Sequence, residues 1–204
     1  VCDGENADQD CAGVCFGLAI IDECGECAGD DSSCTGCTDP YATNYDESYV
    51  IDDDSCMYYE GPIWYVSIGG SSHPNGTEQQ PFSSIQDALD NVYLSDTILV
   101  GPGEYIISSI ININNKNITI KSTEGLENTI LKILDYNTSS SNKCLFKIDN
   151  SMCTIDGFSI KGSDNNYWSS NEDGWKIFQS YNSETHYKNL EITEFNIYFS
   201  NSFN

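Results

Sequence analysis

The chain has 204 residues, 32 of them acidic against 8 basic, for a formal charge of -24. All the basic residues are Lys, so the bidentate Arg contacts that grip phosphates and carboxylates are missing. This balance argues against nucleic acid and anionic membranes as partners, and it favours cations, calcium above all.

Ten cysteines, eight of them before residue 57, point to an oxidising compartment, extracellular or at a cell surface. No apolar run approaches the roughly 20 residues that span a bilayer, so no membrane insertion is expected. The chain opens Val1-Cys2-Asp3 without Met and ends at Asn204 in a strand-like register. It is expected to be a piece of a longer protein in which the coil described below continues.

Residues 1–60 hold cysteines at 2, 11, 15, 24, 27, 34, 37 and 56, together with sixteen Asp/Glu and no Lys. Val14, Phe16, Leu18, Ile20 and Ile21 are the main apolar cluster, too little for a core, so cross-links or ions must hold this segment. Cys2, Cys11, Cys15, Cys24, Cys27, Cys34, Cys37 and Cys56 are read as disulfide cysteines paired locally, Cys37 with Cys56 closing the last unit. The Cys24-x-x-Cys27 and Cys34-x-x-Cys37 spacings also suit zinc, but the acidic, oxidising setting favours disulfides. Asp3, Glu5, Asp8 and Asp10 stand at near-alternating positions, as hard oxygen ligands do, and Asp39, Asn44, Asp46, Asp52, Asp53 and Asp54 form a second cluster. Calcium ligation and plain solvation of a charged surface are both open for these ten residues, since no EF-hand pattern is present.

Two stretches carry a resemblance. DCAGVCFGLAIIDECGECAGDDSSC (Asp10 to Cys34) resembles the DCAGVCGG…DECGVCGGDGSSC repeat of secreted multidomain proteins. GCTDPYATNYDESYVIDDDSC (Gly36 to Cys56) resembles the companion GCTDP.A.NYDP.A..DDGSC repeat. The first repeat usually has Gly near Phe16, Glu26 or Ala28, so the turn geometry is expected to differ. The resemblance implies an extracellular connector and no chemistry.

From residue 61 the composition changes. Trp64 to Ile68 is a short β-like run, and Gly69 to Gly76 is rich in turn signals. Ser83 or Ser84 caps a helix whose Ile85, Ala88, Leu89 and Val92 share one face. Asp96 to Ile120 then gives a strand, a Gly101-Pro102-Gly103 turn, a β-branched run and another strand. Strands this short and this often interrupted suit a coil of stacked strands, with the helix as a lid over its sticky first edge.

The stretch WYVSIGGSSHPNGTEQQPFSSIQDALDNVYLSDTILVGPGEY (Trp64 to Tyr105) resembles the N-terminal motif of right-handed parallel β-helix proteins, the pectate-lyase-like superfamily. Ser95-Asp96 stands where that family has Gly-Asp. The resemblance implies an all-β fold: a right-handed parallel β-helix over residues 61–204 with an N-terminal capping helix, preceded by the disulfide-rich acidic segment 1–60. The superfamily hosts lyases, hydrolases, adhesins and inert surface proteins, so it assigns no function.

Strands are predicted over 97–100, 106–113, 117–121, 129–134, 144–148, 154–160, 176–179, 187–192 and 196–199, several with one face in and one out. Asn112, Asn114, Asn115, Asn117 and Asn128 mark turns, and some of them are expected to stack as a ladder. Cys144 and Cys153 flank the Asp149-Asn150-Ser151 turn, where they either bridge neighbouring strands or stay as two buried thiols. Residues 164–174 (DNNYWSSNEDG) are too polar for a rung and read as a loop. Tyr167, Trp168 and Trp175 at its edges either offer a sugar-binding surface or fold back over the coil, the second reading being preferred. Sequons mark Asn75, Asn117 and Asn137 as glycosylation candidates.

No enzyme signature is present. Asp149 and Asp156 are the best carboxylate pair in the rungs, and His73 and His186 are isolated. The reading is a secreted structural module of a stalk, coat, filament or other cell-surface assembly, without catalysis and with no catalytic residue assigned. Its expected partners are itself or other extracellular proteins. The alternatives are a glycan-binding adhesive module and, less favoured, a fragment of a polysaccharide lyase.

Overall fold

The computed structural model describes residues 9–93, 95–133, 144–162, 167–169, 176–193 and 196–198, with backbone alone for 167–169, 176 and 196–198. The chain divides into two compact units, Val1–Tyr59 and Glu60–Asn204.

Among its described residues the first unit has little regular structure: a 3-10 turn at Ser32–Cys34 and a two-residue parallel pair, β1 (Thr35–Gly36) with β2 (Ile51–Asp52). Disulfides replace a core. Cys11 is joined to Cys27, Cys24 to Cys34 and Cys37 to Cys56, and Cys15 is disulfide-bonded as well. Cys2 lies outside the described residues.

The second unit is a parallel β-solenoid with three faces. The first face stacks β3 (Ile63–Val66), β4 (Thr97–Val100), β7 (Asn117–Ser122) and the first halves of β10 (Met152–Lys161) and β13 (Glu184–Thr193), all in parallel. The second face stacks β5 (Gly103–Ile107), β8 (Thr129–Ile133) and the second halves of β10 and β13. The third stacks β6 (Ile111–Asn114), β9 (Cys144–Asp149) and β12 (Lys176–Tyr181). A further parallel pair joins β11 (Tyr167–Ser169) to β14 (Asn196–Tyr198). The polar 164–174 stretch is therefore not wholly a loop: ladder hydrogen bonds to a partner strand override its poor β-propensity.

Register turns alternation into a core. Ile98, Ile120 and Ile155 are successive partners on the first face and all are fully buried. Tyr105, Leu131 and Ile160 do the same on the second face, and Ile111 and Phe146 on the third, where Phe178 stacks on Phe146 at 5.4 Å. Each fully buried Ile, Leu or Phe contributes about 1.5–3 kcal/mol. Tyr105 keeps its hydroxyl satisfied by donating to Gly101 O at 3.0 Å, and burial pushes its ionisation up to about 12.

The corners use left-handed backbone. Asn115, Asn150 and Asn182, at φ of 54°, 45° and 45°, occupy equivalent places between the third and first faces. Asn115 N–H donates to Asp149 O, and Asn150 N–H to Tyr181 O. Asn tolerates this conformation better than other side chains, which is why it recurs there. The recurring Asn are thus exposed corner residues and not a ladder stacked inside the coil; of the five expected at turns, Asn115 is at such a corner, Asn112, Asn114 and Asn117 sit in strands and Asn128 precedes β8. Between the first and second faces the bend falls at Gly101-Pro102 in one turn, and at Gly157 and Asn189 in later ones, these two at φ of 85° and 46°.

The helix α1 (Ile85–Asn91) starts at Ser84, whose hydroxyl accepts from Asp87 N–H, and it buries Ile85, Ala88 and Leu89. It covers the exposed edge of the first turn. The edge of β3 is covered by the 76–82 loop, through Tyr65 N–H to Gly76 O and Ser67 N–H to Phe82 O, both 2.9 Å.

Cys144 and Cys153 form no bridge; both are buried thiols. Only nine residues separate them, but the corner at Asn150 turns the chain in between. Cys144 lies on the third face opposite Lys176, and Cys153 on the first, between Ile118 and Thr185. Burial pushes the Cys153 thiol up to about 11.

Candidate functional site

The acidic residues of the first unit are the most distinctive chemistry in the sequence, and their geometry is that of loop staples. Asp10 Oδ1 accepts from Val14 N–H at 2.8 Å and Ala12 N–H at 3.1 Å, while Oδ2 accepts from Ala19 N–H at 3.1 Å. Twelve residues on, Asp22 repeats the arrangement: Oδ1 accepts from Glu26 N–H at 2.7 Å and Oδ2 from Asp31 N–H at 3.1 Å. The bridges Gln9–Cys15 and Ile21–Cys27 repeat at the same interval, as do the left-handed Phe16 (φ 55°) and Ala28 (φ 57°). A Cβ on Gly17 or Gly29 would run into the Asp10 or Asp22 carboxylate. Phe16 and Ala28, where the motif usually has Gly, both hold left-handed backbone.

The second acidic cluster works locally. Asp39 accepts from Tyr41 N–H at 2.9 Å and from the Tyr58 hydroxyl at 2.7 Å, a bond that raises the Tyr58 pKa. Asn44 donates to Ser55 O and accepts from Met57 N–H. Asp46 accepts from Ser48 N–H and Oγ, Asp52 from Asp54 N–H, and Asp53 from Ser55 N–H. Hydrogen bonds hold several of these carboxyls below their ordinary value: chiefly Val14 N–H for Asp10, the Ser32 hydroxyl for Asp30, Ser48 N–H for Asp46 and the Ser55 hydroxyl for Asp53.

Among the described residues, the three metal-ligating side chains that converge are Asp22, Cys24 and Asp31, with ligand atoms within 4.8 Å of one another. Such a cluster is able to chelate a metal ion. Cys24 is in a disulfide with Cys34, which leaves the two carboxylates as its hard ligands. Neither belongs to the ten residues expected from spacing. Of those ten, Asp3, Glu5 and Asp8 lie outside the described residues. The others take part in the local bonds above, and Asp54 gives its N–H to Asp52.

On the solenoid, the outward row of the first face runs Tyr65, Leu99, Lys121, Asp156 and Lys188. Asp156 accepts from Asn189 Nδ2 at 2.8 Å. Beside it the Thr123–Asn128 turn is pinned by the buried Ser122 Oγ, which accepts from Gly125 N–H at 2.8 Å and bonds Thr129 Oγ1 at 2.7 Å. Between turn and strand lies an open cleft of about 530 Å³, lined among others by Lys121, Glu124, Glu127, Asp156 and Asn189. Asp149 and Asp156 do not converge: one is on the third face, the other on the first. His186 pairs with Glu184 at 3.3 Å, and His73 contacts the Ser72 hydroxyl at 3.3 Å.

Of the sequon residues, Asn117 is exposed at the start of β7, whereas Asn75 is bonded through both ends of its amide, to Thr77 and Gln80. Asn137 lies outside the described residues, as do Trp175 and the side chains of Tyr167 and Trp168. No helix among the described residues is long and apolar enough to cross a membrane.

Sequence reasoning missed the staple role of Asp22 and Asp31. Their signal was present: the pattern Asp-x-x-Gly-x-Cys-x-Gly occurs twice, from Asp10 and from Asp22. Comparison with protein-family models, curated proteins and solved structures returns no match.

Proposed function

We propose that the chain is a structural module of an extracellular assembly, a stalk, coat or filament, in which the solenoid supplies rigidity and the acidic disulfide-linked unit serves as a connector. It acts without catalysis. The observation that carries this reading is where the polar side chains are spent. Asp10, Asp22, Asp31, Asp39, Asp46, Asp52 and Asp53 all accept backbone N–H groups, so the groups most suited to chemistry hold loops in place. Where calcium binds, Asp22 and Asp31 are the residues to hold it.

Single-molecule pulling tests the reading. The solenoid unit is expected to unfold in a distinct rupture, and the first unit to yield little length until reductant is added. Opening the Cys37–Cys56 loop, 19 residues, then releases about 65 Å at ~3.5 Å per residue. Featureless extension at low force without reductant would sink the connector role.

A second reading, a glycan-binding adhesive module, draws on the polar cleft beside Asp156, where amide, ammonium and carboxylate groups stand on a pinned turn. Retention on a glycan array, lost in Asp156→Ala and Asn189→Ala, would favour it over the scaffold.

A further inference from the structure

The two staple units of the disulfide-rich segment share a backbone but not a surface. Val14, Phe16 and Leu18 of the first unit correspond, twelve residues on, to Glu26, Ala28 and Asp30 of the second. The fold therefore accepts acidic and small residues at these places, and packing does not explain the apolar ones. Yet Val14, Phe16 and Leu18 are 56%, 75% and 93% exposed, and Ile20 and Ile21 beside them 76% and 62%. Phe16 also holds a left-handed φ of 55°, unfavourable for a bulky side chain, in a turn that the small Ala28 takes at 57° in the second unit. Contiguous exposed apolar side chains on a small unit mark an interaction surface.

Charge selects the occupant. Residues 1–60 carry sixteen carboxylates and no Lys, so a second copy would bring like charge against like. An open cleft of about 390 Å³ runs between Phe16, Leu18 and Ile20, with Asp10 in its lining. Backbone hydrogen bonds, that from Val14 N–H first, hold the Asp10 carboxyl below its ordinary value. Apolar walls on a segment with sixteen carboxylates and no Lys match a Lys or Arg side chain, whose stem packs on the walls while its charge meets the segment's negative field. We propose that the Val14–Ile21 surface is a docking site for a cationic, apolar-studded segment of a partner protein. This goes beyond the scaffold reading, because it gives the connector a partner of defined chemistry.

The test uses the full chain and three labelled peptides of equal length: alternating Lys/Leu, alternating Lys/Ser and alternating Glu/Leu. Fluorescence anisotropy is expected to show the Lys/Leu peptide binding at least tenfold more tightly than either control. The triple variant Val14→Glu, Phe16→Ala, Leu18→Asp carries the second unit's own residues. It is expected to lose at least tenfold in affinity for Lys/Leu, although it adds two negative charges. A charge-neutral variant, Val14→Ser with Phe16→Gly and Leu18→Ser, should lose a similar factor, and disulfide mapping by mass spectrometry checks that both variants retain the parent's pairing. Equal binding of Lys/Ser, undiminished binding by the variants, or no binding of Lys/Leu overturns the proposal. Two further outcomes overturn it by assigning the patch elsewhere: self-association that the substitutions abolish, or binding to phosphatidylcholine vesicles.

Discussion

The side-chain amide of Gln86 stands in for a neighbouring strand on Asn112. Gln86 Oε1 accepts from Asn112 N–H at 2.8 Å, and Gln86 Nε2 lies 3.5 Å from Asn112 O while also donating to Asp90 at 2.9 Å. Asn112 lies in β6, the first strand of the third face, whose outer edge would otherwise present bare backbone groups. Gln86→Leu should therefore cost about 1 kcal/mol in urea unfolding, the net value of such a bond. It should also bring concentration-dependent association, readable by analytical ultracentrifugation. A variant that stays monomeric and unfolds like the parent would remove the edge-capping role.

Asp96 holds a second junction. It is buried and accepts from Trp64 Nε1–H and from Tyr93 N–H, each at 2.8 Å. Asp96→Ala leaves both donors without this partner, an expected loss of about 2–4 kcal/mol at ~1–2 per abandoned group. Both bonds end on Oδ2, so Asp96→Asn with its amide oxygen in that place keeps an acceptor for both donors and should lose less. Trp64 fluorescence during denaturant unfolding reports both, and equal losses would show that the carboxylate's two bonds are not what matters.

Much of the solenoid was legible because a stacked coil repeats a simple demand. Ile118 and Ile120, or Ile155, Phe158 and Ile160, must face inward, and alternation exposes that. Corners were harder. The predicted 106–113 strand breaks at Ser108–Ile110, because two β-tolerant serines between apolar runs do not announce the corner at which the ladder partners change. Of the two readings open for Cys144 and Cys153, the bridge rests on sequence proximity, which a corner cancels. The acidic segment was less legible for another reason. A carboxylate whose lone pairs face an ion and one whose lone pairs face backbone amides occupy the same kind of sequence, and what distinguishes them is the path of the loop four and nine residues later.

The staple geometry makes the glycines unequal. Gly17 has ordinary φ, but a Cβ there collides with the Asp10 carboxylate; Gly13 has φ of 78° and open space around it. Gly17→Ala should thus cost about 1–3 kcal/mol through overpacking, and Gly13→Asn under 1, since Asn tolerates left-handed backbone. Oxidative refolding with disulfide mapping checks this. The Cys11–Cys27 and Cys24–Cys34 pairs should form in lower yield for Gly17→Ala and normally for Gly13→Asn.

Acid should loosen the first unit. The carboxyls of Asp10, Asp30, Asp46 and Asp53 are lowered in the folded state, so the unfolded chain binds protons more readily. Their stabilisation is complete above the unfolded value of about 4 and is lost as pH falls through the lower folded values. Amide exchange or NMR shifts of Val14 and Ser48 N–H should move only below about pH 4. Movement between pH 5 and 7 instead would mean that other groups govern these loops.

The buried thiols provide a check on the solenoid's interior. Cys144 is 0% and Cys153 1% exposed, and the Cys153 thiol is pushed up to about 11, so the thiolate that attacks aromatic disulfide reagents is scarce at pH 8. Both thiols should be silent in the native protein and react together, with two equivalents released, once denaturant opens the coil. Reaction should follow the rate of solenoid opening and not the reagent concentration at high reagent. Replacing Cys153 by Ser sets a hydroxyl in the buried row beside Ile118, an expected loss of about 1–3 kcal/mol where no acceptor is at hand. Cys153→Ala should cost less, because it removes volume without stranding a polar group. A native protein that yields two thiols within seconds, or none after denaturation, would contradict the placement of these residues on separate faces of a closed interior.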